Sequence, residues 1–238
     1  MPDLYGYVRE FLHGYDLYLL QGARLTVLVA LASVAFGTVL GLIGAGMKLS
    51  KVRGLRAIAD AYTTIIRGVP ELVLLMILFY GGTMLLIALA ELLFGAEEAI
   101  DIDPFAAGVF ALGIVFGGYA TEVFRGAILA VPRGQIEAAY AVGMSRWLVF
   151  RRILMPQVWR FALPGFGNIW LVLLKDTALI SLVNLPELMF NAKQAGGTMR
   201  EPFTFFIAAA FMYLVLTMIS MVVLQAAERH ARRGVRQA

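Results

Sequence analysis

Long runs of uncharged, mostly apolar residues are the feature that most limits what this chain can fold into. Residues 25–47, 72–90 and 104–121 contain no Asp, Glu, Lys or Arg. Two further apolar runs cover residues 153–174, which include Arg160, and residues 202–227. Because a transmembrane helix needs about 20 mostly apolar residues, the sequence predicts an all-α membrane protein with about five transmembrane helices.

The predicted spans extend slightly beyond these runs, and together they form one transmembrane domain, residues 1–238. They cover about residues 24–47, 57–90, 104–124, 153–175 and 202–227. Residues 57–66 have helical character although they contain Asp60, and Pro164 predicts a kink in the fourth span. Glycines recur in the first and third spans, where they allow two helix backbones to approach closely.

Composition supports a membrane location and argues against several other classes. The 238 residues are 61% hydrophobic and 15% charged, whereas soluble domains are about half apolar and a quarter charged. The pI is near 9.5, but the basic residues lie in short blocks between apolar runs, so we expect no nucleic-acid partner. The chain has no cysteine, and its two histidines, His13 and His230, lie near the ends. We therefore expect no disulfide, no metal site and no bound cofactor.

Between and after the apolar runs, basic segments alternate with acidic or balanced ones, and this pattern predicts the orientation of the chain. The segment after the second run is acidic, with Glu91, Glu97, Glu98, Asp101 and Asp103. The segments after the first, third and fifth runs are basic, and the last of them holds Arg229, Arg232, Arg233 and Arg236. Because cytoplasmic loops are enriched in Lys and Arg, the amino terminus is predicted to be periplasmic and the carboxyl terminus cytoplasmic.

The basic connection between the third and fourth spans, residues 125–152, is too long for a simple loop. Glu137, Ala138 and Ala139 begin a stretch of good helix formers, and Gly143 is a helix stop. The pattern predicts a cytoplasmic helix over about residues 134–146. From the residues alone, this helix could be held by a partner protein or could lie on the membrane surface with its arginines against anionic lipid.

The same connection resembles the EAA loop of bacterial ATP-binding-cassette (ABC) importer permeases. The resemblance consists of Glu137, Ala138 and Ala139, then Gly143 after three intervening residues, then Ile153 and Pro156. Met155 stands where the usual pattern has leucine, which is a mild change in a packed position. In such permeases this loop couples to the ATPase, so the resemblance assigns the coupling role to Glu137, Ala138, Ala139 and Gly143.

Further segments indicate which group of ABC importer permeases the chain resembles. Residues 66–70, 122–126, 130–135 and 174–179 resemble permeases for polar amino acids. Residues 41–50, 100–104 and 162–168 are similar to the Q-type permease of the histidine/lysine/arginine/ornithine uptake system. Opine and arginine permeases are close relatives of that group. The resemblance covers the chain from about residue 19 to residue 229.

The resemblance implies a type I ABC importer permease fold in the bacterial inner membrane. It implies uptake of polar, basic amino acids by alternating access, with three partners: a second permease, alike or identical, a dimer of ABC ATPases and a periplasmic amino-acid-binding protein. The chain has no GxxxxGK[ST] loop with which to hold ATP phosphates. We therefore expect a transport subunit that is not an enzyme, with ATP hydrolysis on a partner chain.

Charged and polar groups at membrane depth are costly, and they mark candidates for substrate contact. The candidates are Arg67, Glu122, Asn168, Lys175, Asp176 and Thr177. Arg67 precedes Pro70, where a broken helix could provide a site for a carboxylate; the alternative is a structural ion pair with Glu71 or Asp60.

Glu122 could contact a cationic substrate, or it could form an ordinary helix-end pair with Arg125 at i+3. Asn168 and Lys175 are seven residues apart and therefore share one helix face. Together with Asp176 and Thr177 at the end of the span, they line the pathway, form a gate or mark an interface. The residues alone leave these alternatives open.

Three other classes of membrane protein fit the sequence less well. An intramembrane enzyme would need paired catalytic groups at depth, and no span contains a histidine. A proton- or sodium-coupled secondary carrier often shows an internal repeat, and none is visible here. A membrane scaffold would not explain charges such as Arg67 and Lys175 within or beside the spans. An importer for opines or for another amino acid remains an alternative within the favoured class.

Overall fold

A computed structural model describes residues 4–94 and 103–231, and in these ranges the backbone is almost entirely helical. The α-helices in chain order are α1 Leu4–Phe11, α2 Asp16–Leu49, α3 Arg53–Gly68, α4 Glu71–Met76, α5 Gly82–Phe94, α6 Pro104–Leu129, α7 Arg133–Ala141, α8 Arg146–Val149, α9 Met155–Asp176, α10 Leu188–Met199 and α11 Pro202–Ala231. Two π-helical turns, Ile77–Gly81 and Phe150–Leu154, join α4 to α5 and α8 to α9, and a 3₁₀ helix, Thr177–Val183, continues α9. Glu97, Glu98, Asp101, Arg232, Arg233 and Arg236, which support the predicted orientation, lie outside the described residues, as does most of the motif at residues 100–104.

Five helical segments of the described ranges are long and apolar enough to cross a bilayer, as the sequence predicts. They are Asp16–Leu49, Glu71–Leu93, Pro104–Leu129, Arg146–Val183 and Pro202–Ala231. The first begins before the predicted residue 24, because residues 17–20 are apolar and continue the helix. The fourth is longer than the predicted 153–175, because α8, the π-helical turn, α9 and the 3₁₀ helix follow one another without an extended residue.

The structure divides the predicted second span, residues 57–90, into two parts. The α3 helix ends at Gly68, Val69 is extended with φ −106° and ψ 138°, and Pro70 precedes α4. A proline disfavours the α conformation of the residue before it and cannot donate to the preceding turn. The break places the amino-terminal residue of α4, Glu71, beside α6 inside the helix bundle.

The centre of the bundle is the contact between α2 and α6, which run in the same direction. A Cβ added at Gly37 would lie 2.6 Å from the Gly113 carbonyl oxygen, and one at Gly41 would lie 2.6 Å from the Ala120 Cβ. A Cβ at Gly44 would collide with the side chain of Thr121. The glycines therefore permit a close approach of the two backbones, as their recurrence in the sequence predicts.

The two ends of the bundle carry different short helices. The connection between α6 and α9 contains α7 and α8, and we refer to this side of the bundle as the α7 end. Gly143, with φ +81°, terminates the α7 segment, a conformation that favours glycine. The predicted helix at 134–146 is thus observed as α7 followed by a turn and α8. At the opposite end, α10 packs on α2 and α11.

Candidate functional site

A cavity of about 260 Å³ lies between α4, α6 and α9, inside the helix bundle. Its lining residues are Glu71, Val115, Phe116, Tyr119, Asn168, Ile169, Val172, Leu173 and Asp176. Most of this lining is apolar, and the polar groups are two carboxyls, one phenol and one amide. A small, mostly apolar pocket with a few convergent polar groups is the usual form of a small-molecule site.

The two carboxyl groups of the cavity meet across helices that are distant in sequence. The Asp176 carboxyl, at the end of α9, and the Glu71 carboxyl, at the start of α4, line the same cavity and repel each other when both are charged. The Tyr119 hydroxyl on α6 donates to Glu71 Oε1 over 3.0 Å. A cationic group of a ligand between the two carboxyls would relieve the repulsion between their negative charges.

The structure brings two of the six predicted substrate contacts into this cavity, Asn168 and Asp176. Lys175 lies in a different space, an apolar groove of about 560 Å³ between the end of α9, α10 and α11. Asn168 and Lys175 share a helix face, but two helical turns separate them by about 10 Å along the axis, so that face meets different neighbours at the two positions. Thr177 is fully buried, and its hydroxyl donates to the Leu174 carbonyl oxygen over 2.8 Å.

The other two candidates, Arg67 and Glu122, lie outside the cavity. Arg67 is exposed and near enough to Tyr119 to act on it electrostatically. No ion pair joins Arg67 to either predicted structural partner in the described ranges. Glu71 accepts a hydrogen bond from Tyr119, and Asp60 lies 2.9 Å from Lys48 Nζ. Glu122 does form the predicted i+3 pair with Arg125, at 2.9 Å, and it also binds Lys48. Within the described ranges, its carboxylate is thus already paired with two cationic side chains, those of Lys48 and Arg125.

Two residues of the cavity, Glu71 and Tyr119, were not among the predicted substrate contacts. Glu71 was considered only as a structural partner for Arg67. The cost of a charge at membrane depth applies equally to Glu71, which directly precedes an uncharged run, and that signal could have identified it. Tyr119 carries no comparable signal, because an aromatic residue in an apolar helix is ordinary.

The α7 helix presents part of its surface away from the bundle. Glu137 and Ala138 are exposed, whereas Ala139 is buried against the rest of the chain. Gln157, at the start of α9, donates from Nε2 to Gln135 Oε1 of α7 over 2.6 Å. This hydrogen bond joins α7 to α9, the helix that carries Asn168 and Asp176.

Comparisons with known proteins all find membrane components of transport systems. Residues 37–233 match the family described as "binding-protein-dependent transport system inner membrane component". The chain is 48% identical over 223 residues to the nopaline transport system permease protein NocQ of Agrobacterium fabrum, covering 94% of each chain. It is 48% identical over 227 residues to the histidine/lysine/arginine/ornithine transport system permease protein HisQ of Escherichia coli, covering 95% of this chain and 99% of that protein.

One solved structure is similar in both fold and sequence. It is described as the crystal structure of an amino acid ABC transporter with histidines, and it superposes with a TM-score of 0.77 at 30% identity. The superposition covers 97% of this chain and 99% of the other. The shared architecture thus extends over nearly the whole chain.

Proposed function

Because the chain belongs to the binding-protein-dependent transport system inner membrane components, as a permease of a polar amino-acid ABC importer, we propose that it imports amino acids with a cationic side chain. The observation that carries the proposal is the pair of carboxyls, Glu71 and Asp176, in a cavity within the bundle. At neutral pH a basic amino acid carries two cationic groups and one carboxylate. Two acidic side chains in one small cavity match the two cations and disfavour an acidic substrate.

The remaining cavity residues fit the uncharged parts of such a substrate. The aliphatic stem of lysine or arginine can lie against Val115, Phe116 and Ile169, which removes apolar surface from water. Asn168 and Tyr119 supply hydrogen-bonding groups that fix the orientation of a polar ligand. The volume, about 260 Å³, lies near the lower end of the range for small-molecule pockets, which suits a single amino acid.

Energy for transport comes, in this proposal, from a dimer of ATPase subunits that contacts α7 at the cytoplasmic face of the bacterial inner membrane. Glu137 and Ala138 are exposed on α7 for this contact, and the Gln135–Gln157 hydrogen bond passes the displacement to α9. A second permease subunit and a periplasmic binding protein complete the importer. Rigid-body motion of α9 relative to α4 and α6 would open the cavity to one side of the membrane and then to the other.

An opine is the second candidate substrate, since the nopaline permease NocQ and the HisQ permease are both 48% identical to this chain. The two candidates differ in size and in negative charge, because an opine carries an additional carboxylate. Competition by nopaline against radiolabelled arginine separates them. Stronger competition by nopaline than by unlabelled arginine would indicate that the substrate is an opine and not a basic amino acid.

The test uses the complete importer in proteoliposomes, with arginine and its uncharged analogue citrulline as paired probes. Glu71→Gln and Asp176→Asn each remove a negative charge while keeping the size of the side chain. We expect each to weaken arginine binding by about 10- to 100-fold, the usual effect of losing one charged contact. Citrulline keeps the α-ammonium group and lacks the side-chain cation, so only the variant at the carboxyl that meets the side chain should leave citrulline binding little changed. Glu91→Gln, on the exposed end of α5, is the matched control. Unchanged arginine binding in both variants would show that the substrate lies elsewhere.

A further inference from the structure

Glu187 is an acidic side chain that the cavity does not use, and it is completely buried at the end of the bundle opposite α7. Its carboxylate accepts four hydrogen bonds. Two come from the backbone amides of Met189 and Phe190, at 2.9 and 2.7 Å, and these cap the amino terminus of α10. The other two come from the Thr26 hydroxyl on α2, at 3.3 Å, and the Tyr213 hydroxyl on α11, at 3.0 Å.

These partners make the Glu187 site a junction of three helices that are remote in sequence. Burial raises the pKa of the Glu187 carboxyl, while the amides and the two hydroxyls act in the opposite direction. No cation forms an ion pair with Glu187 in the part of the chain that the structure describes. All four neighbours donate to the carboxyl oxygens, but they offset burial only in part, so the pKa of the Glu187 carboxyl stays above its ordinary value.

The junction reaches the substrate cavity through Tyr213. The Tyr213 hydroxyl, which donates to Glu187, also lies 3.4 Å from the Thr177 hydroxyl, whose single proton can go to the Leu174 carbonyl oxygen or to the Tyr213 oxygen. Thr177 directly follows Asp176 and begins the 3₁₀ helix, and it is fully buried. Glu187 follows the end of the same 3₁₀ helix. Tyr213 therefore contacts both ends of the segment from Thr177 to Glu187.

We propose that Glu187 is a positioning residue for substrate binding: acting through Tyr213, it fixes the turn at Thr177 and so aims the Asp176 carboxyl into the cavity. This inference rests on the proposed function, because it assigns Asp176 to the substrate. A helix cap alone would need only the amide contacts of Met189 and Phe190. The hydroxyl of Tyr213 adds a link that a cap does not require.

The test measures equilibrium binding of radiolabelled arginine to the complete importer. Tyr213→Phe removes the bridging hydroxyl and leaves both amide contacts of Glu187 intact, so α10 keeps its cap. Thr177→Val removes the other hydroxyl, and Thr177→Ser retains it. We expect Tyr213→Phe and Thr177→Val to weaken arginine binding by about fivefold, the effect of one lost hydrogen bond, and Thr177→Ser to bind normally. Tyr80→Phe, at a tyrosine that is 52% exposed, is the matched control.

A double variant distinguishes positioning from a general loss of structure. If Tyr213 acts through Asp176, then adding Tyr213→Phe to Asp176→Asn causes no further loss of binding, because the group being aimed is already neutral. Independent, multiplying losses in the double variant would overturn the inference. Glu187→Gln should weaken arginine binding as much as Tyr213→Phe does. If Glu187→Gln fails to fold, the Tyr213→Phe result alone tests the positioning role.

The outcomes also separate this inference from the proposed function. Normal arginine binding in Tyr213→Phe, with weakened binding in Asp176→Asn, would refute the positioning role and leave the cavity as the substrate site. Normal binding in Asp176→Asn would refute the positioning role, since the carboxyl being positioned would have no substrate to meet. The cavity would be refuted as well only if Glu71→Gln also bound arginine normally.

Discussion

The Lys48 ammonium near the end of α2 forms an ion pair with the Glu122 carboxylate on α6, although 74 residues separate the two in sequence. Their side chains are only 10% and 20% exposed. Lys48 also lies 2.9 Å from Asp60 on α3, and Glu122 also pairs with Arg125. This arrangement joins α2, α3 and α6 at the end of the bundle that carries α7, where a partially buried charge without its partner would be costly.

Removing one member of the Lys48–Glu122 pair should destabilise the protein. We expect Glu122→Gln to cost about 2 kcal/mol, because Lys48 would keep only the more exposed partner, Asp60. Lys48→Met should cost a similar amount, and the double variant less than the sum of the two. Thermal denaturation of the purified protein in detergent measures each change. Lys51→Met, at an exposed lysine, is the control, and strictly additive losses would show that the pair contributes nothing.

The contact between α2 and α6 should tolerate no side chain at Gly44. Gly44→Ala places a methyl group against the Thr121 side chain, and we expect about 1–3 kcal/mol of destabilisation from overpacking. Gly46→Ala is a matched control on the same helix, since a Cβ there meets nothing within 4 Å. The amount of folded protein after detergent extraction compares the two. Equal yields would mean that α2 and α6 can move apart to accommodate the methyl group without loss of folded protein.

Glu137 is expected to act in coupling and not in folding, because its side chain is exposed on α7. Glu137→Lys reverses the charge presented to the ATPase, so uptake by the complete importer should fall more than tenfold. The amount of protein in the membrane should remain normal. ATP-driven arginine uptake in proteoliposomes, normalised to the inserted protein, measures the effect. Glu10→Lys, at an exposed position on α1, serves as the control, and undiminished uptake by Glu137→Lys would argue against coupling through α7.

The orientation predicted from loop charges can be tested directly, because the chain contains no cysteine. Ala141→Cys lies at the end of α7 and Thr198→Cys near the end of α10, and both positions are exposed. A membrane-impermeant thiol reagent added to intact cells with a permeabilised outer membrane should label Thr198→Cys and leave Ala141→Cys unlabelled. Lysed cells should label both. The reverse pattern would place α7 in the periplasm and contradict its contact with an ATPase.

Structural elements that depend only on residues close together in the chain could be predicted from the sequence. The uncharged runs predicted five membrane helices, Pro70 predicted the break that separates α3 from α4, and Gly143 predicted the end of the α7 segment. Each of these follows from local properties: the length of an apolar run, the missing amide hydrogen of proline, or the freedom of glycine at positive φ. The signals lie within a few residues of the features they specify, so no knowledge of the fold is needed.

Only the tertiary structure decided which polar side chains meet. Tyr119 and Glu71 are 48 residues apart, and Thr26 and Glu187 are 161 apart. Helix packing gathers Glu71 and Asp176 in one cavity, and it leaves Glu122 paired with Lys48 and places Lys175 in another groove. The periodicity of the sequence predicts which face of a helix a residue occupies, but not which neighbouring helix that face contacts. The physical reason is that a side chain's partners depend on the rotation and crossing of whole helices, which long-range packing sets.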